Sequence, residues 1–347
     1  MERKKLAVLG AGSWGTALSI VLADNGHDVT IWARREAQAR EMNEEKTNEH
    51  YLSDIRLPDN ITVTNRLHQA VEGCDALLIS VPTSSIRETV QLLAQSDVHI
   101  PLVIHATKGI EPDTLLRISE MMEEENVYNF TSDVVALSGP SHAEEVARRQ
   151  PTTVTVSSLS REACDRAQVL FMNEKFRVYT SQDIVGVELG GSLKNVMALG
   201  VGLTEGLGYG DNARAAIMTR GLAEMTRLGT KLGADPLTFA GLSGLGDLIV
   251  TCTSEHSRNW RAGYQLGQGI PLTEVLEQMG MVVEGVKTTQ AVAQLAKKEG
   301  IEVPITMAIY DVLFNGQSPL QAAEYLMGRV RKHEAEQLNF TKVQKKD

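Results

Sequence analysis

Three glycines at positions 10, 12 and 15 follow the first apolar run and open a second one. Residues 6–15 read LAVLGAGSWG, the G-x-G-x-x-G spacing between an apparent strand and helix. Gly10 permits a tight turn, Gly12 lets the backbone approach a pyrophosphate, and Gly15 lets the helix pack closely on the strand. The helix N-terminus offers unpaired N–H groups to phosphates. This segment therefore predicts a strand, turn and helix that bind a dinucleotide.

Two arginines stand where a dinucleotide-binding domain selects its cofactor. About twenty residues beyond the last glycine, an acidic side chain would hold a ribose hydroxyl, but this chain has Arg34 and Arg35. A guanidinium can form paired hydrogen bonds with a 2′-phosphate. The pair favours NADP(H), with NAD(H) as the alternative if both arginines are simply solvated.

Composition describes an ordinary globular protein with two domains. The 347 residues are 42% hydrophobic and 22% charged, and the net charge of -10 argues against nucleic-acid binding. The three cysteines, Cys74, Cys164 and Cys252, lack metal-ligand spacing and fit a reducing compartment. We expect no bound metal and no disulfide framework.

Targeting signals are not evident in the sequence. Residues 1–5 lead directly into the first apolar run, so we expect no signal peptide and a cytoplasmic location. The weakly charged stretch 184–203 contains Glu188, Lys194 and several glycines, which argues against a membrane span. We therefore expect no integral membrane association.

Strands and helices alternate through the first half of the chain. Apolar runs predict strands at 6–10, 28–32, 75–81, 102–106, 134–137 and 152–158, and helices at 15–25, 84–95, 112–124 and 161–171. This rhythm is typical of a doubly wound Rossmann-type sheet, an α/β domain that we assign to residues 1–185.

The second half has apolar residues at helical spacing. Helices are predicted at 185–203, 213–232, 261–267, 272–279, 288–298, 305–314 and 320–330. We assign residues 186–335 to an all-α domain that binds substrate and 336–347 to a polar tail. Ligands bind at the carboxyl ends of parallel strands, so the helical domain would close one side of that crevice.

Two lysines stand out as candidates for chemistry. Lys108 lies in the segment HATKGIE, residues 105–111, at the end of a predicted strand. It could bind a phosphate, polarise a carbonyl or be an ordinary surface lysine in a turn. Lys194 and Asn195 lie in the middle of a predicted helix, just after Gly190 and Gly191. Burial would lower the pKa of Lys194 and suit it to proton transfer, whereas a snorkelling lysine would keep its ammonium group in water.

A third segment supplies a carboxylate and a guanidinium. Asp247 follows a turn of small residues, where it could cap a helix or hold the Lys194 ammonium. Arg258 and Asn259 could bind an oxyanion, because a guanidinium matches phosphate geometry. His256 in the same segment reads as a solvated loop residue.

With these motifs in place, the chain resembles the bacterial NAD(P)-dependent sn-glycerol-3-phosphate dehydrogenases over nearly its whole length. Besides the glycine turn, the resemblance rests on ATKGIE at 106–111, LSGPSHA at 137–143, ELGGSLKN at 188–195, the block 244–259 and VEG at 283–285. It implies reversible reduction of dihydroxyacetone phosphate to glycerol 3-phosphate, which supplies phospholipid synthesis, and it implies a homodimer.

The resemblance also implies a set of site residues. Those in the cofactor site would be Gly10, Gly12, Ser13, Trp14, Gly15, Arg34, Arg35, Lys108, Ala143, Arg258, Val282 and Glu284. Those in the substrate site would be Lys108, Gly139, Ser141, Lys194, Asn195, Asp247, Ser257, Arg258 and Asn259. Lys194 would transfer the proton, Lys108 would stabilise the same oxygen or its neighbour, and Asp247 would orient Lys194.

Two other functions fit parts of the sequence. A related dehydrogenase acting on a hydroxy acid or a ketopantoate-like substrate would use Arg258 for a carboxylate. A non-catalytic NADP(H) sensor would keep the glycine turn, but it would need neither Lys108 nor Lys194.

Overall fold

The computed structural model describes residues 2–330, and within them eight strands form a single sheet. The strands are β1 (Lys5–Leu9), β2 (Asp28–Trp32), β3 (Ile61–Thr64), β4 (Ala76–Ile79), β5 (Val103–His105), β6 (Val134–Ser138), β7 (Thr152–Ser157) and β8 (Phe176–Ser181). Their order is β3-β2-β1-β4-β5-β6-β7-β8, and all neighbours are parallel except β6 and β7. The strand order reverses between β1 and β4, so a ligand crevice is expected at their carboxyl ends.

Helices cover both faces of this sheet. They are α1 (Ser13–Asp24), α2 (Glu36–Glu44), α3 (Glu49–Leu52), α4 (Leu67–Val71), α5 (Ile86–Ala94), α6 (Ile118–Glu124), α7 (Ala143–Ala147) and α8 (Arg161–Phe171). Alternate residues of β1 enter different cores: Leu6 and Val8 pack with α1, α7 and α8, while Ala7 and Leu9 pack with α5 and α6. Burial on both faces explains the continuous apolar runs of the central strands.

The rest of the described chain is helical and is built around one central helix. The helices are α9 (Ile184–Gly206), α10 (Asp211–Lys231), α11 (Pro236–Ala240), α12 (Asp247–Cys252), α13 (Arg258–Gly267), α14 (Leu272–Met279), α15 (Glu284–Glu299), α16 (Pro304–Phe314) and α17 (Pro319–Met327). A π-helical turn, Leu242–Gly246, leads into α12. Nearly every residue of α9 is buried, because α10, α12, α13, α15 and α16 pack around it.

The predicted Rossmann-type sheet followed by an all-helical domain is confirmed. Two strands, β3 and β8, were not predicted, and both lie at the edges of the sheet. The predicted helix 112–124 is wrong in its first six residues. There the chain turns back through Leu115, whose φ is 66°, so that Ile110 pairs with Arg117, and the helix begins only at Ile118.

The weakly charged stretch 184–203, whose charged and glycine residues argue against a membrane span, belongs to α9. This is the one helix among residues 2–330 with the length and apolar composition of a membrane span, and 94% of its apolar window is buried within the fold. Since β8 ends at Ser181 and α9 begins at Ile184, the change from sheet to helices lies close to the predicted boundary at 185. Residues 331–335 and the predicted tail 336–347 lie outside the described residues.

Candidate active site

The glycine turn lies at the point where the strand order reverses. Gly10 has a φ of +114°, and a Cβ there would lie 2.4 Å from the carbonyl oxygen of Ser80, which follows β4. A Cβ on Gly15 would lie 2.0 Å from the carbonyl oxygen of Gly10, so the helix packs directly on the turn. Gly12 has no atom within 4 Å of an added Cβ, which leaves its backbone open to an approaching ligand. This cradle fits a pyrophosphate at the start of α1.

Residues near the turn extend this cradle along the carboxyl ends of the strands. Trp14 carries a buried indole N–H that has no hydrogen-bond partner, and Ser13 Oγ donates to the carbonyl oxygen of Tyr51 at 3.4 Å. Arg34 and Arg35 are exposed just beyond β2, and Arg35 donates to the side chain of Gln38 at 3.2 Å. The two arginines therefore lie at the strand end beside the glycine turn, where the ribose of a bound dinucleotide is expected.

A single carboxylate holds the two candidate lysines together. Asp247 Oδ2 accepts a hydrogen bond from Lys108 Nζ at 2.6 Å, while Oδ1 accepts one from Lys194 Nζ. Asp247 is 1% exposed and belongs to the first turn of α12, where its side chain caps nothing. The alternative that Asp247 is a helix cap is therefore wrong.

Lys194 is a buried ammonium group, not a snorkelling one. The residue is 7% exposed, and its Nζ also donates to Thr251 Oγ1 at 2.7 Å. Burial lowers the pKa of Lys194 to about 8; the Asp247 charge opposes the shift, and the Lys108 charge adds to it. Burial also raises the pKa of Asp247, but the two lysines outweigh it and hold that pKa below its usual range.

Loops at the ends of β5 and β6 complete this part of the site. Lys108 Nζ donates to the carbonyl oxygen of Gly139 at 3.3 Å, and Ser141 Oγ donates to the same oxygen at 2.9 Å. Gly139 has a φ of +142° and lies so close to β7 that a Cβ would be 2.9 Å from Val154 Cα. Ala143 is the first residue of α7 and follows this turn directly.

Close packing of α13 on α9 brings the third sequence segment to the lysines. A Cβ on Gly263 would lie 2.2 Å from the carbonyl oxygen of Leu199, so the two helix backbones touch there. At the start of α13, Asn259 Nδ2 donates to Asn195 Oδ1 at 2.9 Å, and Asn195 directly follows Lys194. The glycine at this contact permits a helix approach that a larger residue would prevent.

The start of α13 has the character of an anion site. Ser257 Oγ accepts a hydrogen bond from the backbone N–H of Trp260 at 3.2 Å, which caps the helix. Arg258 is exposed, and its Nη1 donates to the carbonyl oxygen of Val282 at 3.1 Å. His256 is exposed beside this helix end, with its ring centroid 5.8 Å from that of His142.

Glu284 joins the helical domain to the sheet. Its carboxylate accepts hydrogen bonds from the backbone N–H of Thr83 at 3.3 Å and from Thr83 Oγ1 at 3.1 Å. Burial raises the pKa of Glu284, although the Thr83 hydrogen bonds oppose the shift. Thr83 follows β4, so this contact joins the start of α15 to a strand end of the sheet.

The structure thus brings the predicted substrate residues into one cluster. Of the predicted cofactor residues, the glycine turn, Arg34, Arg35, Lys108 and Ala143 lie at the strand ends, whereas Arg258, Val282 and Glu284 belong to the helical domain. Sequence reasoning missed Thr251, which lies four residues after Asp247 and so shares its helix face. It also missed Thr83, which is 201 positions from its partner Glu284, and Ser119, whose backbone N–H donates to Glu188 from 69 positions away. No group of three or more His, Cys, Asp or Glu side chains comes together among residues 2–330 in the manner of a metal site.

Fold and site together define an oxidoreductase of the two-domain, dinucleotide-dependent class. Two family models match consecutive parts of the chain: "NAD-dependent glycerol-3-phosphate dehydrogenase N-terminus" over residues 5–164 and the corresponding "C-terminus" over residues 183–324. The chain belongs to the NAD(P)-dependent glycerol-3-phosphate dehydrogenases, oxidoreductases that act on a CH–OH group.

Individual relatives agree with this membership. Glycerol-3-phosphate dehydrogenase [NAD(P)+] of Shouchella clausii is 60% identical over 96% of this chain and 99% of its own length. The enzyme of the same name from Halalkalibacterium halodurans is 61% identical over 97% of each chain. The crystal structure of glycerol-3-phosphate dehydrogenase from Coxiella burnetii superposes with a TM-score of 0.90 at 36% identity, covering 94% of this chain and 99% of that one. The resemblance drawn from the motifs is confirmed.

Proposed function

We propose that this chain interconverts dihydroxyacetone phosphate and sn-glycerol 3-phosphate, with Lys194 donating the proton in reduction and accepting it in oxidation. One observation carries the proposal: the Lys194 ammonium is buried against Asp247, where the helical domain meets the ends of the strands. Its pKa of about 8 suits proton transfer in both directions near neutral pH.

The geometry leaves donors free for a reacting oxygen. When bound, the nicotinamide dinucleotide supplies the hydride for the ketone carbon, and negative charge develops on the ketone oxygen. An ammonium group has three N–H donors, and Lys194 uses two of them on Asp247 and Thr251. Its third N–H can donate to the ketone oxygen. Lys108 likewise uses two donors, on Asp247 and Gly139, and keeps one for that oxygen or the neighbouring hydroxyl.

The start of α13 is suited to the substrate phosphate. Arg258 supplies a guanidinium there, and the helix N-terminus adds unpaired backbone N–H groups. The Asn259–Asn195 hydrogen bond sets the position of this helix end relative to Lys194. Binding the phosphate remote from the reacting carbon would orient the ketone towards the lysines.

The cofactor preference is proposed to be NADP(H). The support is the exposed pair Arg34 and Arg35 beyond β2, at the strand end beside the glycine turn. Changing both to Gln should weaken NADPH binding about 10- to 100-fold and leave NADH binding within about twofold. Arg40→Gln, on an exposed face of α2, is the control. Equal NADPH affinity in the double variant would contradict the preference.

Three further features complete the proposal. We propose that the enzyme is a cytoplasmic homodimer and that its product supplies glycerophospholipid synthesis. Light scattering after gel filtration should give about twice the 37.9 kDa chain mass, and a monomer mass would contradict the dimer.

A strain depleted of the enzyme should regain growth when supplied with glycerol 3-phosphate. Continued growth of the depleted strain without it would contradict the metabolic role.

The decisive experiment replaces Lys194 by Ala. Oxidation of NADPH with dihydroxyacetone phosphate should fall by about 10³-fold or more, because the general acid is lost, while NADPH affinity stays within about twofold. Lys231→Ala, an exposed lysine at the end of α10, is the control. Near-normal turnover in Lys194→Ala would overturn the assignment. Faster turnover with unphosphorylated keto acids than with dihydroxyacetone phosphate would instead favour the ketopantoate-like alternative.

A further inference from the structure

A second buried carboxylate lies on α9, six residues before Lys194, and it takes no direct part in the proposed chemistry. The Glu188 side chain is 2% exposed, and its carboxylate accepts hydrogen bonds from Ser119 N and Ser119 Oγ, each at 2.7 Å. Arg117 Nη1 donates to the same group, and His105 Nε2 lies 3.2 Å from its Oε1. All of these partners belong to the sheet domain.

The surroundings keep this carboxylate charged. Burial raises the pKa of Glu188, but His105, Arg117 and Ser119 outweigh the burial and hold that pKa below its usual range. A buried charge is tolerated only when its partners are well placed. Any movement of α9 along its axis would separate Glu188 from these partners and is therefore opposed.

The partners of Glu188 are connected to the other lysine. His105 is the last residue of β5 and precedes Lys108 by three positions. The contact between His105 Nε2 and Glu188 therefore places the end of the strand that leads to Lys108 beside the helix that carries Lys194. Lys108, from the sheet domain, and Lys194, from the helical domain, both bind the carboxylate of Asp247.

Between Glu188 and Lys194 the helix has no clearance. A Cβ on Gly190 would lie 2.4 Å from the carbonyl oxygen of Ser243, and one on Gly191 would lie 2.5 Å from Ser138 Oγ. The stem of Lys108 also runs past Gly191, 3.5 Å from such a Cβ. These contacts restrict lateral movement of α9, and the Glu188 contacts add resistance to movement along the helix axis.

We propose that Glu188 is a positioning residue that holds α9 at the axial position where Lys194 meets Lys108 on Asp247. The proposal rests on the proposed role of Lys194 in proton transfer. Glu188 lies about 9 Å from Lys194 along the helix axis, at 1.5 Å per residue, so it acts through the helix and not by contact. A misplacement of about 1 Å at a reacting group can cost about 100-fold in rate.

The test is Glu188→Gln, which keeps the shape of the side chain and removes its charge. We expect kcat for dihydroxyacetone phosphate to fall about 10- to 100-fold, with NADPH affinity within about twofold. The alkaline limb of kcat/KM should also move to lower pH, because Lys194 loses contact with Asp247. The other titratable groups that act on or near Lys194 are Lys108, His142 and Cys252, and the substitution leaves them unchanged.

Glu120→Gln is the matched control. Glu120 accepts a hydrogen bond from Nη2 of the same Arg117 at 2.8 Å, but it lies on α6, and its side chain is 39% exposed. This variant should keep kcat within about twofold. An equal loss in both variants, or a wild-type kcat and pH limb in Glu188→Gln, would overturn the proposal.

A milder variant covers the case in which Glu188→Gln does not fold. Ser119→Ala removes one hydroxyl and keeps the backbone N–H, so we expect about a 3- to 10-fold loss of kcat and a smaller shift of the limb. Unchanged kinetics there would overturn the proposal. If Lys194→Ala retains turnover, the proton-transfer role itself fails. If Lys194→Ala is inactive and Glu188→Gln behaves as wild type, only the positioning role fails.

Discussion

Lys108 Nζ donates a hydrogen bond to Asp247 Oδ2 at 2.6 Å, although 139 positions separate the two residues in the chain. Lys108 follows a strand of the sheet, and Asp247 opens a helix of the other domain. The carboxylate also holds Lys194, so the relative position of the two domains sets the spacing of both ammonium groups. The contact between Lys108 and Lys194 through Asp247 therefore forms only when the two domains pack together.

Asp247→Asn should abolish most activity. An amide cannot balance two ammonium groups, so Lys108 and Lys194 would repel each other, and breaking such a buried pair costs about 3–5 kcal/mol. We expect kcat to fall at least about 100-fold and the melting temperature to drop. Asp235→Asn, an exposed cap at the start of α11, should change neither, since Asn caps helices as well as Asp. A kcat within tenfold of wild type would contradict the central role of Asp247.

The two reaction directions should depend oppositely on pH. Since the pKa of Lys194 is about 8, kcat/KM for reduction should be highest below pH 8 and decline about tenfold per unit above it. The corresponding value for glycerol 3-phosphate oxidation should rise through the same range and level off. Steady-state assays from pH 6.5 to 10 measure both, with Lys231→Ala as control. A reduction rate that stays constant to pH 10 would exclude Lys194 as the acid.

Two glycine substitutions in the turn should separate folding from dinucleotide binding. An added Cβ on Gly12 meets no atom within 4 Å but fills the cradle, so Gly12→Ala should keep its melting temperature and lose NADPH affinity by about 10-fold or more. Gly15→Ala forces a Cβ against the Gly10 carbonyl and should lower both. Gly210→Ala, which has open space and a φ of -94°, is the control. Thermal melts and fluorescence titrations distinguish these outcomes, and tight NADPH binding by Gly12→Ala would show that the dinucleotide lies elsewhere.

Glu224 should make the stability of the protein depend on pH. It is 3% exposed and accepts hydrogen bonds from the backbone N–H groups of Ile305 and Thr306, yet burial raises its pKa from 4.5 to about 7. The folded state therefore binds more protons than the unfolded state between these values, and stability falls as pH rises, by roughly 3 kcal/mol in total.

The measurement is the free energy of unfolding from pH 4.5 to 7.5. Glu224→Gln removes the titrating group and should flatten this decline, whereas Glu277→Gln, an exposed carboxyl on α14, should reproduce the wild-type curve. Equal slopes for Glu224→Gln and wild type would show that the pKa of Glu224 is the same in the folded and unfolded states.

The parts of the fold that the sequence predicted well are those with strong local patterns. The run into Gly10 and the apolar runs of the central strands are buried on both faces, so composition alone marks them. The edge strands β3 and β8 are half-exposed, and their polar residues hide the pattern. Local periodicity predicts a helix from residue 112, but the left-handed conformation of Leu115 interrupts it, and the helix begins only at Ile118.

The site residues that the sequence predicted are likewise those with an unusual local context. Lys194 and Asp247 stand out because a lysine among glycines and a carboxylate after a small-residue turn are unusual in their local context. Glu188 lies in the same motif as Lys194, but its partners Ser119 and His105 are 69 and 83 positions away in sequence, and no local pattern connects them.

By itself, the sequence determined the glycine turn, the order of sheet and helices, and the residue types available for chemistry, because hydrophobic periodicity and backbone preference act over a few neighbouring residues. Only the tertiary structure decided that Lys108 and Lys194 share Asp247, and that the pKa of Lys194 is about 8. Burial and charge act through space, so the ionisation of Lys194 depends on groups that the chain supplies from far away.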